Sequence, residues 1–344
     1  MLQQVMRAPH SIEFQNVSVP EINDDEVLLQ IKRIGICGSD IHVWHGTHPF
    51  TSYPVTQGHE ASCEIVKIGK NVKNLAVGQK VTIQPQLTCG KCYPCRHGKY
   101  NLCEELKVLG FQAVGLASEY FAAPAGLIVP LPDSVSFDEG ALIEPLAVAV
   151  HAVRKAGEIK GKDIAVIGAG PIGNLVAQVA MGLGARKVLI SDFGGLRGDK
   201  AKECGIDVVV NSNQISFGDA LNECFGKDGA DVIYDCAGTD QSINDAIKFA
   251  RKGSLIILVA VFGKIAKVDL AVLNDHELDL NTTMMYRHED YITAIDLVAR
   301  KKVALKPLIS THFAFENYSD AYKYIDENRN NVMKVIIDVG GVTD

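Results

Sequence analysis

Residues 163–173 say more about the fold than any other stretch. An apolar run, Asp163–Ile167, leads straight into Gly168-Ala169-Gly170-Pro171-Ile172-Gly173, and a helical stretch, Ile172–Leu183, comes next. A G-x-G-x-x-G element alone is a weak signal. Between a strand and a helix it marks a specific turn. Gly168 turns the chain, Gly170 lets the backbone approach a pyrophosphate, and Gly173 allows helix to pack closely on sheet. The helix N-terminus, opened by Pro171 and Ile172, offers free N–H groups and a positive dipole to phosphates. Apolar runs recur at Lys187–Ser191, Ile206–Val210, Asp231–Asp235, Ser254–Val259 and Leu278–Met284, with helical stretches such as Leu196–Glu203 between them. This alternation predicts an α/β domain built on a parallel sheet covered on both faces. Six strands complete a doubly wound dinucleotide-binding domain. Asp192 ends the next strand, 19 residues after Gly173. A carboxylate there binds a ribose 2′-hydroxyl and repels a 2′-phosphate, which favours NAD over NADP.

The rest of the chain reads differently. Its 344 residues are too many for one ordinary core, so two domains are expected. Before residue 150 the pattern is β-rich, with short runs at Glu26–Ile34, Ala61–Ile68, Lys80–Pro85 and Glu119–Ala123. A helix is expected over Pro145–Ala156. The final residues predict helices at Glu289–Lys301 and Asn317–Asn328 and a strand at Lys334–Val339. So short a tail cannot fold alone. The expected organisation is therefore a catalytic domain over 1–150, a dinucleotide domain over 151–286, and a return to the catalytic domain over 287–344.

A net charge of −7 without a long basic run argues against nucleic acid as the partner. No uncharged apolar stretch approaches the ~18 residues of a membrane span. The N-terminus lacks the apolar core of a signal peptide, so the expected location is the cytoplasm.

Nine cysteines are present, and four of them, Cys89, Cys92, Cys95 and Cys103, fall within fifteen residues. Their C-x2-C-x2-C-x7-C spacing suits four thiolates closed around one structural zinc, in a lobe spanning 86–104. A second set is scattered: Cys37 after an apolar run, His59 and Glu60 before another, and Glu144 ahead of Pro145. One thiolate, one imidazole and one carboxylate leave a fourth position open, as a catalytic zinc requires. Spacing alone does not link Cys37 to Glu144. Singly, each residue has a plainer reading as core filler or surface charge.

Taken together, the motifs Gly35-Ile36-Cys37-Gly38-Ser39-Asp40-Ile41-His42, Gly58-His59-Glu60, the Cys89–Cys103 lobe, Ile143-Glu144-Pro145 and Gly168–Gly173 resemble the zinc-containing medium-chain dehydrogenase/reductase family across essentially the whole chain. The resemblance implies a GroES-like catalytic domain and a Rossmann domain with the active site in the cleft between them. It implies two zinc ions per chain, one structural and one held by Cys37, His59 and either Glu60 or Glu144. It implies NAD-linked oxidation of a secondary alcohol, most like the sorbitol and galactitol-phosphate branch, in a homotetramer or homodimer. A threonine or simple-alcohol dehydrogenase is the alternative, and metal-free relatives would lack the Cys37, His59 and Glu60 set. Ser39 resembles the family's proton-relay hydroxyl, with His42 continuing toward solvent, and Arg197 resembles an arginine beside the adenine. Trp44, Glu119 and Arg287 are candidates to touch substrate, against plainer roles as a core anchor, a strand residue and a salt-bridge partner. The family often has Gly-Gly-Phe-Ala-Glu-Tyr where this chain has Gly115-Leu116-Ala117-Ser118-Glu119-Tyr120.

Overall fold

The computed structural model describes residues 1–340. The chain forms two compact units. One comprises Met1–Glu144, Arg287–Ile295 and the chain from Ile309 onward; the other comprises Pro145–Tyr286 and Asp296–Leu308.

The first unit is built on a seven-stranded sheet. Its spine is the ten-residue strand Glu26–Gly35, whose Val, Leu and Ile side chains are almost all buried. One edge of this spine pairs antiparallel with Glu60–Ile68. The other edge is shared: Tyr120–Pro124 takes residues 26–30, and Lys334–Asp338 takes residues 33–35. Gly35 lies opposite Glu60 on one side and Ile336 on the other. Ile36 then donates its N–H to the carbonyl of Val335 at 3.0 Å. Three segments distant in sequence therefore end side by side just where Cys37 begins the short helix Gly38–Trp44. That helix lies outside the sequence-based expectations: seven residues opening on glycine carry too little periodicity to announce a helix.

The second unit holds a six-stranded, wholly parallel sheet. The strands lie in the order Val208–Asn211, Lys187–Asp192, Asp163–Ile167, Val232–Asp235, Leu255–Leu258 and Asp279–Thr282. Numbered along the chain this is 3-2-1-4-5-6, the doubly wound dinucleotide-binding order. The expectation that both faces would be covered fails at the last strand. All four residues of Asp279–Thr282 are exposed, because this strand is the sheet's outer edge and its sequence is mostly polar. Elsewhere Asp163–Ile167 keeps its expected bounds, and the other strands shift at one or both ends by one or two residues, in either direction.

Candidate active site

Cys37 is held by the turn into its helix. Its N–H donates to Oδ2 of Asp40 at 2.9 Å. Glu60 is the first residue of its strand, and His59 precedes it; they are 0% and 4% exposed. The sheet register brings the three together, with Cys37 Sγ, a His59 ring nitrogen and a Glu60 oxygen all within 4.8 Å of one another. Glu144, 6% exposed in the first turn of the helix Ile143–Arg154, stands outside that mutually close set. Gly35 makes room for the site: a Cβ there would collide with the Glu60 carboxylate.

Two buried polar atoms in this cluster have no hydrogen-bond partner, Glu60 Oε1 and His59 Nδ1. Leaving such atoms unsatisfied costs about 1–3 kcal/mol each, more for a charged group. A cation bound by the Glu60 carboxylate removes that cost for Oε1. A soft thiolate, an imidazole and a carboxylate are also the donor mix that zinc takes. The residues present therefore fit a metal ion. His59 Nδ1 lies 3.5 Å from Oδ1 of Asp40. Burial alone pulls the His59 imidazole down, but Asp40 and Cys37 outweigh it and hold its pKa well above the usual value.

A further member was not apparent from the sequence. Lys334 is 5% exposed. Its ammonium pairs with Glu60 Oε2 and donates to the carbonyl of Ile36 at 3.0 Å. Burial lowers its pKa, and the charges of Glu60, Cys37 and Glu144 more than reverse that, so it stays protonated. The available signal was a lysine opening an otherwise apolar strand, Lys334-Val335-Ile336-Ile337. Behind the cluster runs a buried chain of hydrogen bonds. The Tyr322 hydroxyl donates to Gln57 Oε1 at 2.8 Å, and Gln57 Nε2 reaches the Asp40 carbonyl at 3.3 Å.

The other candidates fall in different places. Ser39 is half-buried on the first turn of the helix, and His42 is exposed with Nδ1 3.3 Å from the Thr47 hydroxyl. Trp44 sits as its core-anchor reading expects. It is 3% exposed, stacks on Tyr322 at 5.0 Å and donates to Asp326 at 3.2 Å. Glu119 accepts the N–H of Leu2 at 2.6 Å, tying down the first strand. Arg287 pairs with Glu289 at 3.1 Å. Glu119 thus has a backbone partner and Arg287 an acidic neighbour two residues on.

The four cysteines of the lobe also converge, each offering Sγ within 4.8 Å of the others. They are free thiols, with Cys92 and Cys103 sulfurs 3.9 Å apart. The Glu104 N–H and neighbouring groups lower the Cys92 pKa to about 6. Desolvation and the thiols of Cys92 and Cys103 push Cys95 up to about 12. Once one thiolate has formed, the others resist ionisation until a cation joins them.

In the second unit Gly168 has φ +96°, which a side-chain-bearing residue rarely adopts. Gly170 caps the helix Pro171–Gly182 and Pro171 is its first residue. Gly173 lies so close to the turn that a Cβ would strike the Gly168 carbonyl. Asp192 accepts the Ala169 N–H at 2.6 Å and the Phe193 N–H at 2.7 Å, so its carboxylate sits against the turn. Arg197 leaves Nε buried without a partner. A positive-φ turn, a cap with open space beside Gly170, and an acid held against that turn fit a dinucleotide.

A doubly wound sheet with this turn, together with a second sheet whose strand ends gather thiolate, imidazole and carboxylate, defines a metal-dependent oxidoreductase acting with a nicotinamide cofactor. The alcohol dehydrogenase GroES-like domain matches residues 23–133 and the zinc-binding dehydrogenase domain matches residues 171–300. The chain belongs to the zinc-binding alcohol dehydrogenase family. It is 35% identical to D-xylulose reductase of Saccharomyces cerevisiae, over 97% of this chain and 96% of the relative. It is 33% identical to sorbitol dehydrogenase 1 of the same yeast, over 97% and 96%. Galactitol-1-phosphate dehydrogenase from Escherichia coli superposes with a TM-score of 0.90 at 29% identity, covering 98% of this chain and all of that one. Among the described residues no helix is long and apolar enough to cross a membrane.

Proposed function

We propose that this chain oxidises a secondary hydroxyl of a polyol or sugar alcohol, phosphorylated or not, to the ketone with NAD. The observation that carries this reading is the meeting of Cys37, His59 and Glu60, with the buried Glu60 Oε1 still unsatisfied. The substrate class rests on the relatives, whose names concern xylulose, sorbitol and galactitol phosphate. Cys37, His59 and Glu60 would hold the catalytic zinc, with Glu144 near enough to influence Lys334, and Cys89, Cys92, Cys95 and Cys103 the structural one. Bound zinc supplies Lewis acidity that lowers the pKa of a substrate hydroxyl, and the nicotinamide accepts the hydride. The protein's own part is positional and protonic. Ser39, two residues from Cys37, takes the alcohol proton, and His42, exposed to solvent, passes it to water. Gly168, Gly170, Pro171, Ile172 and Gly173 cradle the pyrophosphate. Asp192 binds the adenosine ribose and disfavours a 2′-phosphate, and Arg197 lies beside the adenine.

The chain is proposed to act as a homo-oligomer in the cytoplasm. The exposed outer edge Asp279–Thr282 supports self-association, since an unpaired strand edge invites a partner strand. Light scattering on the purified protein reads the mass directly. The test of function is NADH formation across sugar alcohols, their phosphates, threonine and simple secondary alcohols. Far better turnover of threonine or a monohydric alcohol than of any polyol would overturn the substrate class. Zinc near zero in carefully prepared protein would overturn the metal reading.

A further inference from the structure

His48 belongs to none of the sequence motifs, yet it is tied to the candidate site by a column of rings. It stacks on Phe111 with centroids 4.8 Å apart and planes 18° from parallel, and Phe111 in turn lies 4.9 Å from the ring of His59. The charges of Asp40, His42 and His59 all reach it. Its ring is half-buried, and the neighbouring Thr47 and Phe50 are exposed. Nδ1 is 2.8 Å from the Thr51 hydroxyl, and whichever tautomer that bond selects, Nε2 is the nitrogen left over. Among the described residues no hydrogen bond to Nε2 is present. Burial lowers the pKa of this imidazole, opposed by Asp40 and aided by His42 and His59. Near neutral pH the ring is therefore uncharged, offering a neutral polar contact and no ion pair.

From this arrangement we infer that His48 is a specificity-determining residue, whose free Nε2 hydrogen-bonds a substrate hydroxyl other than the one oxidised. The inference rests on the polyol reading and deepens it. A monohydric alcohol held at Cys37, His59 and Glu60 has no second hydroxyl to offer His48; a polyol has several. Thr51 fixes the ring and Phe111 supports its face, so little side-chain freedom is lost on binding.

The test compares xylitol and sorbitol with 2-butanol, which has one secondary hydroxyl and nothing to offer His48. His48→Phe keeps the stack on Phe111 and removes the nitrogen. Loss of one neutral hydrogen bond corresponds to roughly a three- to tenfold rise in KM for the polyols, with kcat little changed and KM for 2-butanol unmoved. His48→Gln returns a polar group near Nε2 and should recover most of the loss. Thr51→Val, a gentler change, should raise the polyol KM less, by releasing the ring. A KM rise shared by 2-butanol, or a polyol KM unmoved in His48→Phe, would overturn the role of His48 while leaving the polyol reading standing. A wild-type enzyme active on 2-butanol and on no polyol would instead sink the substrate class itself, and His48's role with it.

Discussion

The ammonium of Lys334 and the carboxylate of Glu60 form an ion pair whose side chains are only 5% and 1% exposed. The two residues open the strands that flank the strand of Gly35 on either side. Glu60 thus divides its oxygens between a fixed cation and an unsatisfied side within reach of Cys37 and His59. The lysine offsets part of the negative charge that a thiolate and carboxylates bring into a water-poor site.

Breaking such a buried pair on one side leaves an uncompensated charge, at a cost of about 3–5 kcal/mol. Lys334→Met is therefore expected to lower stability by that amount. Removing both charges, as in Lys334→Met with Glu60→Gln, should cost clearly less than the two single changes added together. Urea unfolding of the four proteins measures the coupling. Strict additivity would mean the pair is not formed in solution.

The two candidate metal sites should lose metal independently. Cys37→Ala is expected to leave one zinc per chain and abolish turnover, because the lobe sulfurs stand by themselves. Cys103→Ser should also leave one zinc, but with a large loss of stability, since four-thiolate sites couple binding to folding. Zinc uptake by the lobe must displace the protons of thiols such as Cys95, whose pKa stands at about 12. Its apparent affinity should therefore fall as pH falls, and uptake in weak buffer should release protons. Metal analysis with a pH indicator reads both quantities, and proton-neutral uptake would contradict the account.

On the proposed reading, cofactor choice turns on Asp192. Its oxygens accept N–H groups from Ala169 and Phe193, so the carboxylate is held against the turn. Asp192→Ala should raise KM for NAD by roughly tenfold, the equivalent of ~1.4 kcal/mol, and narrow the gap to NADP. Parallel kinetics with the two cofactors check this, and an unchanged NAD/NADP ratio would remove Asp192 from the ribose site.

The second unit was legible because parallel strands buried on both faces write themselves as apolar runs, and because Gly168, Gly170 and Gly173 each answer a local steric demand. The four-cysteine lobe was legible because its ligands are neighbours in sequence. Cys37, His59 and Glu60 are not, and only sheet register joins them; the family resemblance stood in for information that spacing does not hold. For Lys334 the one sign, a lysine opening an otherwise apolar strand, fits an exposed strand end as well as a buried one. Trp44 carried two readings, a pocket wall and a core anchor. Nearness to Cys37 in sequence suggested a pocket wall, but a helix turns its side chains through all directions, and Trp44 faces Tyr322 in the core.

Two glycines of the same turn should separate folding from binding. Alanine is favoured over glycine inside a helix by up to about 1 kcal/mol, so Gly173→Ala would stabilise if space allowed. It does not, because the added Cβ meets the Gly168 carbonyl, and such overpacking costs roughly 1–3 kcal/mol. Gly170 differs: φ is −61°, a value open to alanine, and nothing lies within 4 Å of an added Cβ. Gly170→Ala should therefore leave the melting temperature unchanged while weakening NADH binding, because the methyl group occupies the side from which a pyrophosphate approaches. Gly173→Ala should lower both. Melting curves with fluorescence titration of NADH make the comparison. Wild-type affinity in Gly170→Ala would place the dinucleotide somewhere other than this turn.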